Sequence, residues 1–253
     1  MAPAPVQIPI WLDLLAVVPS ALAGALVAAR AKFDLTGIFG VGLLAVVPAA
    51  LAGALIASRA NFDIAGIFGV GLLAGLGGGI LRDVLLNQLP VALKSPWYIV
   101  AALTCSLIIA LTARRIERYF WLVVVFEAAA LGLYGVTGVN KGLINGLAIL
   151  PAILVGMVAA TGGGVLRDLT LSRQPEIFQR GQLFATAALA GVITYVILFK
   201  LGVDEAVTAL VAASVTFVVR VTAWRLNIRL PGAIDVPGAI ADRVGGSGAD
   251  GKG

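Results

Sequence analysis

Two apolar runs of this chain are broken by the same pattern, Gly77-Gly78-Gly79-Ile80-Leu81-Arg82-Asp83 and, 85 residues later, Gly162-Gly163-Gly164-Val165-Leu166-Arg167-Asp168. Glycine weakens a helix and a charged side chain resists transfer into hydrocarbon, so such a block inside an apolar segment must serve a particular purpose. Its recurrence marks an internal repeat. Of the 253 residues 60% are hydrophobic and 12% charged, more apolar sequence than a water-soluble core of this size buries. The sequence is that of an integral membrane protein.

Eighteen Lys and Arg against thirteen Asp and Glu give a formal charge of +5. The cations lie mostly at the ends of apolar segments, where lipid phosphates and the positive-inside rule account for them and no nucleic-acid partner is expected. Cys105 is the single cysteine and histidine is absent, which excludes disulfide frameworks, histidine metal sites and histidine acid-base chemistry. No Ser or Cys has a basic partner at a catalytic spacing. The expectation is a protein that is not an enzyme, with no cofactor and no bound metal. Met1 to Ile10 contain no Lys or Arg, so the first apolar run reads as a retained helix rather than a cleaved signal peptide.

Segments long enough to cross a ~30 Å hydrocarbon core are expected at 8–29, 35–57, 64–90, 97–113, 119–138, 142–172, 182–200 and 204–224. The two that carry the glycine runs are longest, as helices that kink or unwind would require. Trp97, Tyr98, Tyr119, Trp121 and Trp224 fall at expected ends, at headgroup level. Arg114, Arg115 and Arg118, then Arg173 and Arg180, then Arg225 and Arg229 share one side, which the charge rule makes cytoplasmic. The opposite loops hold Lys94, Lys141 and Lys200, partly offset by Asp204 and Glu205. A multi-pass protein of the cell membrane with its C-terminus inside follows.

The chain divides into an extra N-terminal span (1–42), two three-helix repeats (43–118 and 119–201), a final helix (202–230) and a disordered tail (231–253). The glycine-bearing helix is second in each repeat. Three crossings per repeat invert the second relative to the first, the plan of many transport proteins. The extra span comes from a tandem duplication: Leu14–Gly42 and Leu43–Gly71 differ at six positions. As an added crossing it would put Arg30 and Lys32 outside, against the charge rule. Three readings stay open, namely a peripheral eighth helix, an imperfectly packed segment, and a duplication confined to the gene record.

Each candidate residue has a functional and a structural reading. The glycines Gly77, Gly78, Gly79, Gly162, Gly163 and Gly164 either let two helices pack closely or free backbone carbonyls toward water and a cation. The doubled motif and its charges favour the second. A phosphate-cradling loop is excluded, since that motif needs a preceding strand. Arg82 and Asp83, like Arg167 and Asp168, point about 100° apart on a helix, so each is expected to meet a partner elsewhere or to anchor at the interface. Glu127, near the middle of its expected span, is either an ionised group on a polar path or a protonated carboxyl in one interhelical hydrogen bond. Lys141, beside Asn140, is a countercharge at a pore mouth or an outer-loop lysine. Asp34 and Asp63 read as helix N-caps.

The two glycine motifs, with Gly138-Val139-Asn140-Lys141-Gly142-Leu143 between them, resemble the prokaryotic trimeric intracellular cation channel family, also catalogued under a glycine-transporter domain. The likeness runs from about Leu43 to Leu230. It implies an all-α membrane fold of two inverted three-helix repeats with glycine-kinked second helices plus a final helix. It further implies a homotrimer in membrane lipid, with a pore in each subunit passing potassium, sodium and other monovalent cations. Carried over, the six glycines are kink positions lining the pore, and Lys141 is a pore or gating group. Seven helices are expected of that family against eight candidate spans here, so the extra N-terminal span departs from it. The expected function is a passive cation channel in which Arg82, Asp83, Glu127, Lys141, Arg167 and Asp168 act on the ion pathway. A secondary carrier for glycine or another small zwitterion is the alternative, since broken helices present an N-terminal end to a carboxylate and a C-terminal end to an ammonium group.

Overall fold

The computed structural model describes residues 35–116, 120–179 and 183–228. They form α1 (Leu35–Arg59), α2 (Ile64–Leu85), a short α3 (Val91–Lys94), α4 (Pro96–Ile116), α5 (Phe120–Ile144), α6 (Ile149–Thr170), a 3-10 turn (Glu176–Phe178), α7 (Phe184–Lys200) and α8 (Glu205–Arg225). The described residues are all-helical, without strands. Val41–Arg59, Ile64–Leu85, Trp121–Ile144, Ile149–Thr170 and Glu205–Arg225 are long and apolar enough to cross a membrane, and Pro96–Thr112 and Phe184–Lys200 are shorter apolar helices. The side chains of Leu111, Leu150, Ile64 and Trp97 stand exposed on the outside, as lipid-facing positions do.

The repeat is written into the helix boundaries. Adding 85 to the first and last residues of α1 and α2 gives those of α5 and α6. The turns obey the same shift. After α2, Leu86 caps the helix, Asn87 takes φ +52°, and the Gln88 N–H donates to the Asp83 carbonyl at 2.8 Å. After α6, Leu171, Ser172 (φ +52°) and Arg173 repeat these steps, with Arg173 donating to Asp168 at 2.9 Å. A left-handed residue just past the helix end satisfies its last carbonyls. Pro90 and Pro175 then start the short helices, where a missing N–H costs nothing.

Several expected bounds shift. The span expected at 119–138 continues to Ile144, and the next begins at Ile149 rather than 142, with Gly146 at φ +78° in the turn between them. Lys141 therefore sits in the last turn of α5 and not in a loop, and Glu127 is two turns into α5 rather than at its middle. Asp63 does cap α2, accepting from the Gly66 N–H at 2.7 Å. The candidate span 8–29, Arg30, Lys32, Asp34 and the tail from Pro231 lie outside the described residues.

The glycine runs bring the main correction. α2 and α6 are helical without a break through Gly77–Gly79 and Gly162–Gly164, so the expected unwinding does not occur. At 22 residues each they are also shorter than the 25-residue α1 and α5. Gly77, Gly78, Gly162 and Gly163 are instead where α2 and α6 touch. A Cβ on Gly78 would lie 2.2 Å from the Ala159 carbonyl oxygen, and one on Gly163 would lie 2.4 Å from that of Ala74. Ala159 is Ala74 shifted by 85. Each partner thus offers the same surface to the other, the signature of a two-fold relation. Close approach through small residues is how helices associate without a hydrophobic drive between them.

Side-chain pairs fix the helix directions. Lys141, at the end of α5, meets Asp83 at the end of α2, whereas Glu127, near the start of α5, meets Arg167 at the end of α6. The two glycine helices therefore run in opposite senses along α5. α8 begins beside the end of α5, where Asn140 Nδ2 donates to Glu205 Oε1 at 2.6 Å, and ends beside its start, where Arg220 approaches Glu127.

Replacing Gly78 or Gly163 with alanine drives a methyl into backbone, and overpacking of this kind costs about 1–3 kcal/mol. Gly69, on the same α2, has open space where its Cβ would be, and Gly69→Ala gains helix propensity. Thermal unfolding in detergent is expected to show a lower midpoint for Gly78→Ala and Gly163→Ala and none of that loss for Gly69→Ala. Equal midpoints in all three would contradict the close crossing.

Candidate functional site

Helix ends place the charged residues. Arg82 and Asp83 occupy the last turn of α2 and are both buried. Their Cβ atoms diverge, yet the long Arg82 side chain folds back, and its Nε donates to Asp83 Oδ1 at 2.8 Å. The expectation of a partner elsewhere holds for Asp83, which also meets Lys141, whereas Arg82 turns to its own neighbour. Lys141 Nζ reaches the same oxygen at 2.8 Å, and Asp83 Oδ2 accepts from the Val91 N–H at 2.9 Å. Asp83 thus ties the end of α2 to the start of α3.

The second copy is built alike and then elaborated. Arg167 Nε donates to Asp168 Oδ1 at 2.7 Å, and Asp168 Oδ2 accepts from the Glu176 N–H at 2.9 Å. Asp168 and Glu176 stand eight residues apart, as do Asp83 and Val91. Arg167 also donates through Nη1 to Glu127 and lies 3.7 Å from Glu176 Oε2 through Nη2. Arg220 of α8 donates to Glu176, lies 3.6 Å from Glu127 Oε2, and sets its guanidinium 4.9 Å above the Phe184 ring. Arg220 is completely buried, and the ring face supplies part of its attraction.

The structure thus gathers the sequence-selected charges into two groups: Arg82, Asp83 and Lys141 at one end of α5, and Glu127, Arg167 and Asp168 at the other. Glu176 and Arg220 complete the second group and were missed by sequence reasoning. Arg220 had a legible signal, being a lone cation inside an apolar span. Glu176 is marked by its place, since the repeat puts it at the position of Val91.

Two small cavities lie between the groups. One of about 30 Å³ is bordered by Glu127, Arg167, Gly163, Gly164, Phe184 and Tyr134, with alanines Ala49, Ala52, Ala74, Ala130 and Ala160 around it. Another of about 20 Å³ is bordered by Gly42, Val46, Gly79, Arg82, Asp83, Tyr98 and Tyr134. Each is room for about one water. Part of the two walls is repeat-related: Gly42, Val46, Gly79 and Arg82, shifted by 85, are Glu127, Leu131, Gly164 and Arg167, whereas Leu76, Asp83, Val91 and Tyr98 of the second cavity have no counterpart in the first. The repeat has therefore placed one cavity on either side of the Gly78–Gly163 crossing. Among the described residues there is no group of His, Cys, Asp or Glu suited to hold a metal.

The family model described as "Glycine transporter" matches residues 41–114 and 124–200. A "UPF0126 membrane protein" of Deinococcus radiodurans is 34% identical over 183 residues, covering 72% of each chain. The "UPF0126 inner membrane protein YadS" of Escherichia coli K12 is 27% identical over 224 residues, 87% of this chain and 94% of that one. Among solved structures, the TRIC trimeric intracellular cation channel orthologue from Rhodobacter sphaeroides superposes with a TM-score of 0.72 at 29% identity, covering 76% of this chain and 100% of that chain. A second TRIC cation channel, solved for the basis of its conductance, gives 0.70 at 28% identity, covering 79% and 97%.

Glu176 lies in the turn between α6 and α7, outside the spanning helices. Its carboxyl is pushed up from 4.5 to about 7 by burial and then by the Glu127 charge, against the pull of Arg220 and Arg167. Three carboxylates here face two guanidiniums, with Glu176 the most exposed of the three. Between the two values the folded protein holds more protons than the unfolded chain, so this contribution to stability is complete below pH ~4.5 and is lost as pH rises through ~7. The thermal midpoint of Glu176→Gln should therefore fall less than that of the native protein between about pH 5 and about pH 8. Parallel pH profiles for the two proteins would contradict the assignment.

Proposed function

This chain belongs to the membrane-protein family described as Glycine transporter, and from that premise we propose that it is a passive channel for monovalent cations, potassium and sodium among them. The observation that carries the proposal is the pair of repeat-related cavities, one on each side of the α2–α6 crossing, with a charged group beyond each. The TRIC channels that share the fold are cation channels by their descriptions. Small side chains line the wider cavity, so a path here runs between backbones and not through a sheath of large side chains.

In the mechanism proposed, Glu127 and Asp83 offer a cation carboxylate oxygens at the two ends, while Arg167, Arg220, Arg82 and Lys141 hold those carboxylates in place and limit how long a cation resides. Gly77, Gly78, Gly162 and Gly163 contribute by bringing α2 and α6 together, and Gly79 and Gly164 border the voids beside them. In this reading the conformation described is a closed one, its two voids being small. With α2 and α6 antiparallel, the two halves form an inverted repeat in the bilayer. The positive-inside rule sets the Glu127 end, and with it the C-terminus, toward the cytoplasm. A homotrimer with one path per subunit agrees with the trimeric relatives.

The family description favours one other reading, a carrier for glycine. Against it stand the solved structures that share the fold, which are cation channels by their descriptions. Reconstitution of the purified protein in planar bilayers under a potassium gradient tests the choice. Discrete unitary currents reversing near the potassium potential are expected. Electrical silence together with saturable, gradient-driven glycine uptake would overturn the channel reading.

A further inference from the structure

We propose that Tyr134 is the septum of the conduction path, its ring closing the passage between the two cavities and its hydroxyl latching α5 to α2. The inference rests on the channel reading and adds to it the place and the bond at which the path is shut.

Of the residues lining the two cavities, Tyr134 alone lines both. It is buried, with 4% of its surface exposed. Its hydroxyl donates to the Gly75 carbonyl, two residues before the glycine run of α2. A carbonyl inside a helix keeps a second lone pair free for such a bond. Gly79 lies beside the ring, where a Cβ would stand in ordinary contact, 3.5 Å from Tyr134 Cε1. The helix around the ring is also glycine-rich, with Gly132, Gly135 and Gly138 on either side.

The repeat shows what the ring replaces. Shifted back by 85, Tyr134 becomes Ala49, which lines the wider cavity. An alanine at both related positions would leave the wall between the two voids symmetric across the two-fold. A single aromatic ring therefore breaks the symmetry of the interior, at the point where the two voids approach each other. The duplicated scaffold supplies two half-paths, and one residue of one copy separates them.

The full chain in planar bilayers, with Tyr134→Phe and Tyr134→Ala beside it, tests the assignment. Tyr134→Phe keeps the ring and loses the latch, so the open-to-closed ratio should rise on the order of fivefold, the scale of one lost hydrogen bond, at unchanged unitary conductance. Tyr134→Ala removes the septum itself, and its unitary conductance should exceed that of the native protein. Should Tyr134→Ala fail to elute as a folded protein, the Tyr134→Phe open probability decides alone. Native currents that neither folded variant raises would overturn the septum and leave the channel reading standing. Silence in all three would overturn both, whereas a silent native protein beside a conducting Tyr134→Ala would support the septum.

Discussion

The contact of α2 with α6 over two glycines apiece, Gly77 and Gly78 against Gly162 and Gly163, is the constraint from which the rest of this structure follows. A Cβ at Gly78 or Gly163 would run into the carbonyl of the partner helix, so the two backbones meet with nothing between them. Two helices that cross this closely must diverge on both sides of the crossing. The space so opened is filled by α5 and α1 only in part, and the two small cavities are what is left. Because the helices run in opposite senses, their charged last turns are carried to opposite ends of α5. A single backbone approach thus sets both the position of the voids and the position of the charges.

The repeat explains the plan and its exceptions explain the chemistry. At one end three formal charges, Arg82, Asp83 and Lys141, leave an excess of one cation. At the other, Glu127, Asp168 and Glu176 against Arg167 and Arg220 leave an excess of one anion when all are ionised. The difference comes from positions where the halves do not match. Gly42 stands where the second copy has Glu127, and α8, which belongs to neither half, brings in Arg220. Buried ions of this kind are costly unless each finds its partner, which is why the second group closes into a network of shared oxygens and not a set of separate pairs.

Much of the architecture was legible in the sequence because it is a matter of period and hydropathy. The 85-residue recurrence of the Gly-Gly-Gly to Arg-Asp block reappears in helix bounds, turn dihedrals and hydrogen bonds. The selected charges were brought into two groups as their places within apolar spans suggested. The glycines were expected to unwind their helices, and both helices run through them unbroken. A glycine run states that side chains are missing, and it does not state whether the gap is filled by water or by another backbone. Only the partner helix decides that, and its carbonyls carry no mark in the sequence. Tyr134 was invisible for a related reason, since an aromatic in an apolar run looks like core until the cavities beside it are seen. The boundary near Gly142 was misplaced because the chain stays apolar across the turn, and the left-handed Gly146 gives the only local stop.

The crossing itself is open to direct chemical measurement. A Cβ on Gly162 would stand 3.8 Å from the Leu81 Cβ, within the range that a disulfide bridges. In a background with Cys105 replaced by serine, the double variant Leu81→Cys/Gly162→Cys should form that bond under mild oxidation. Mass spectrometry of the digested protein should then recover the α2 and α6 peptides joined and no free thiol. If both thiols instead remain open to alkylation in the folded protein, the helices do not meet at their glycines, and the account of the cavities and charges built on that contact fails with it.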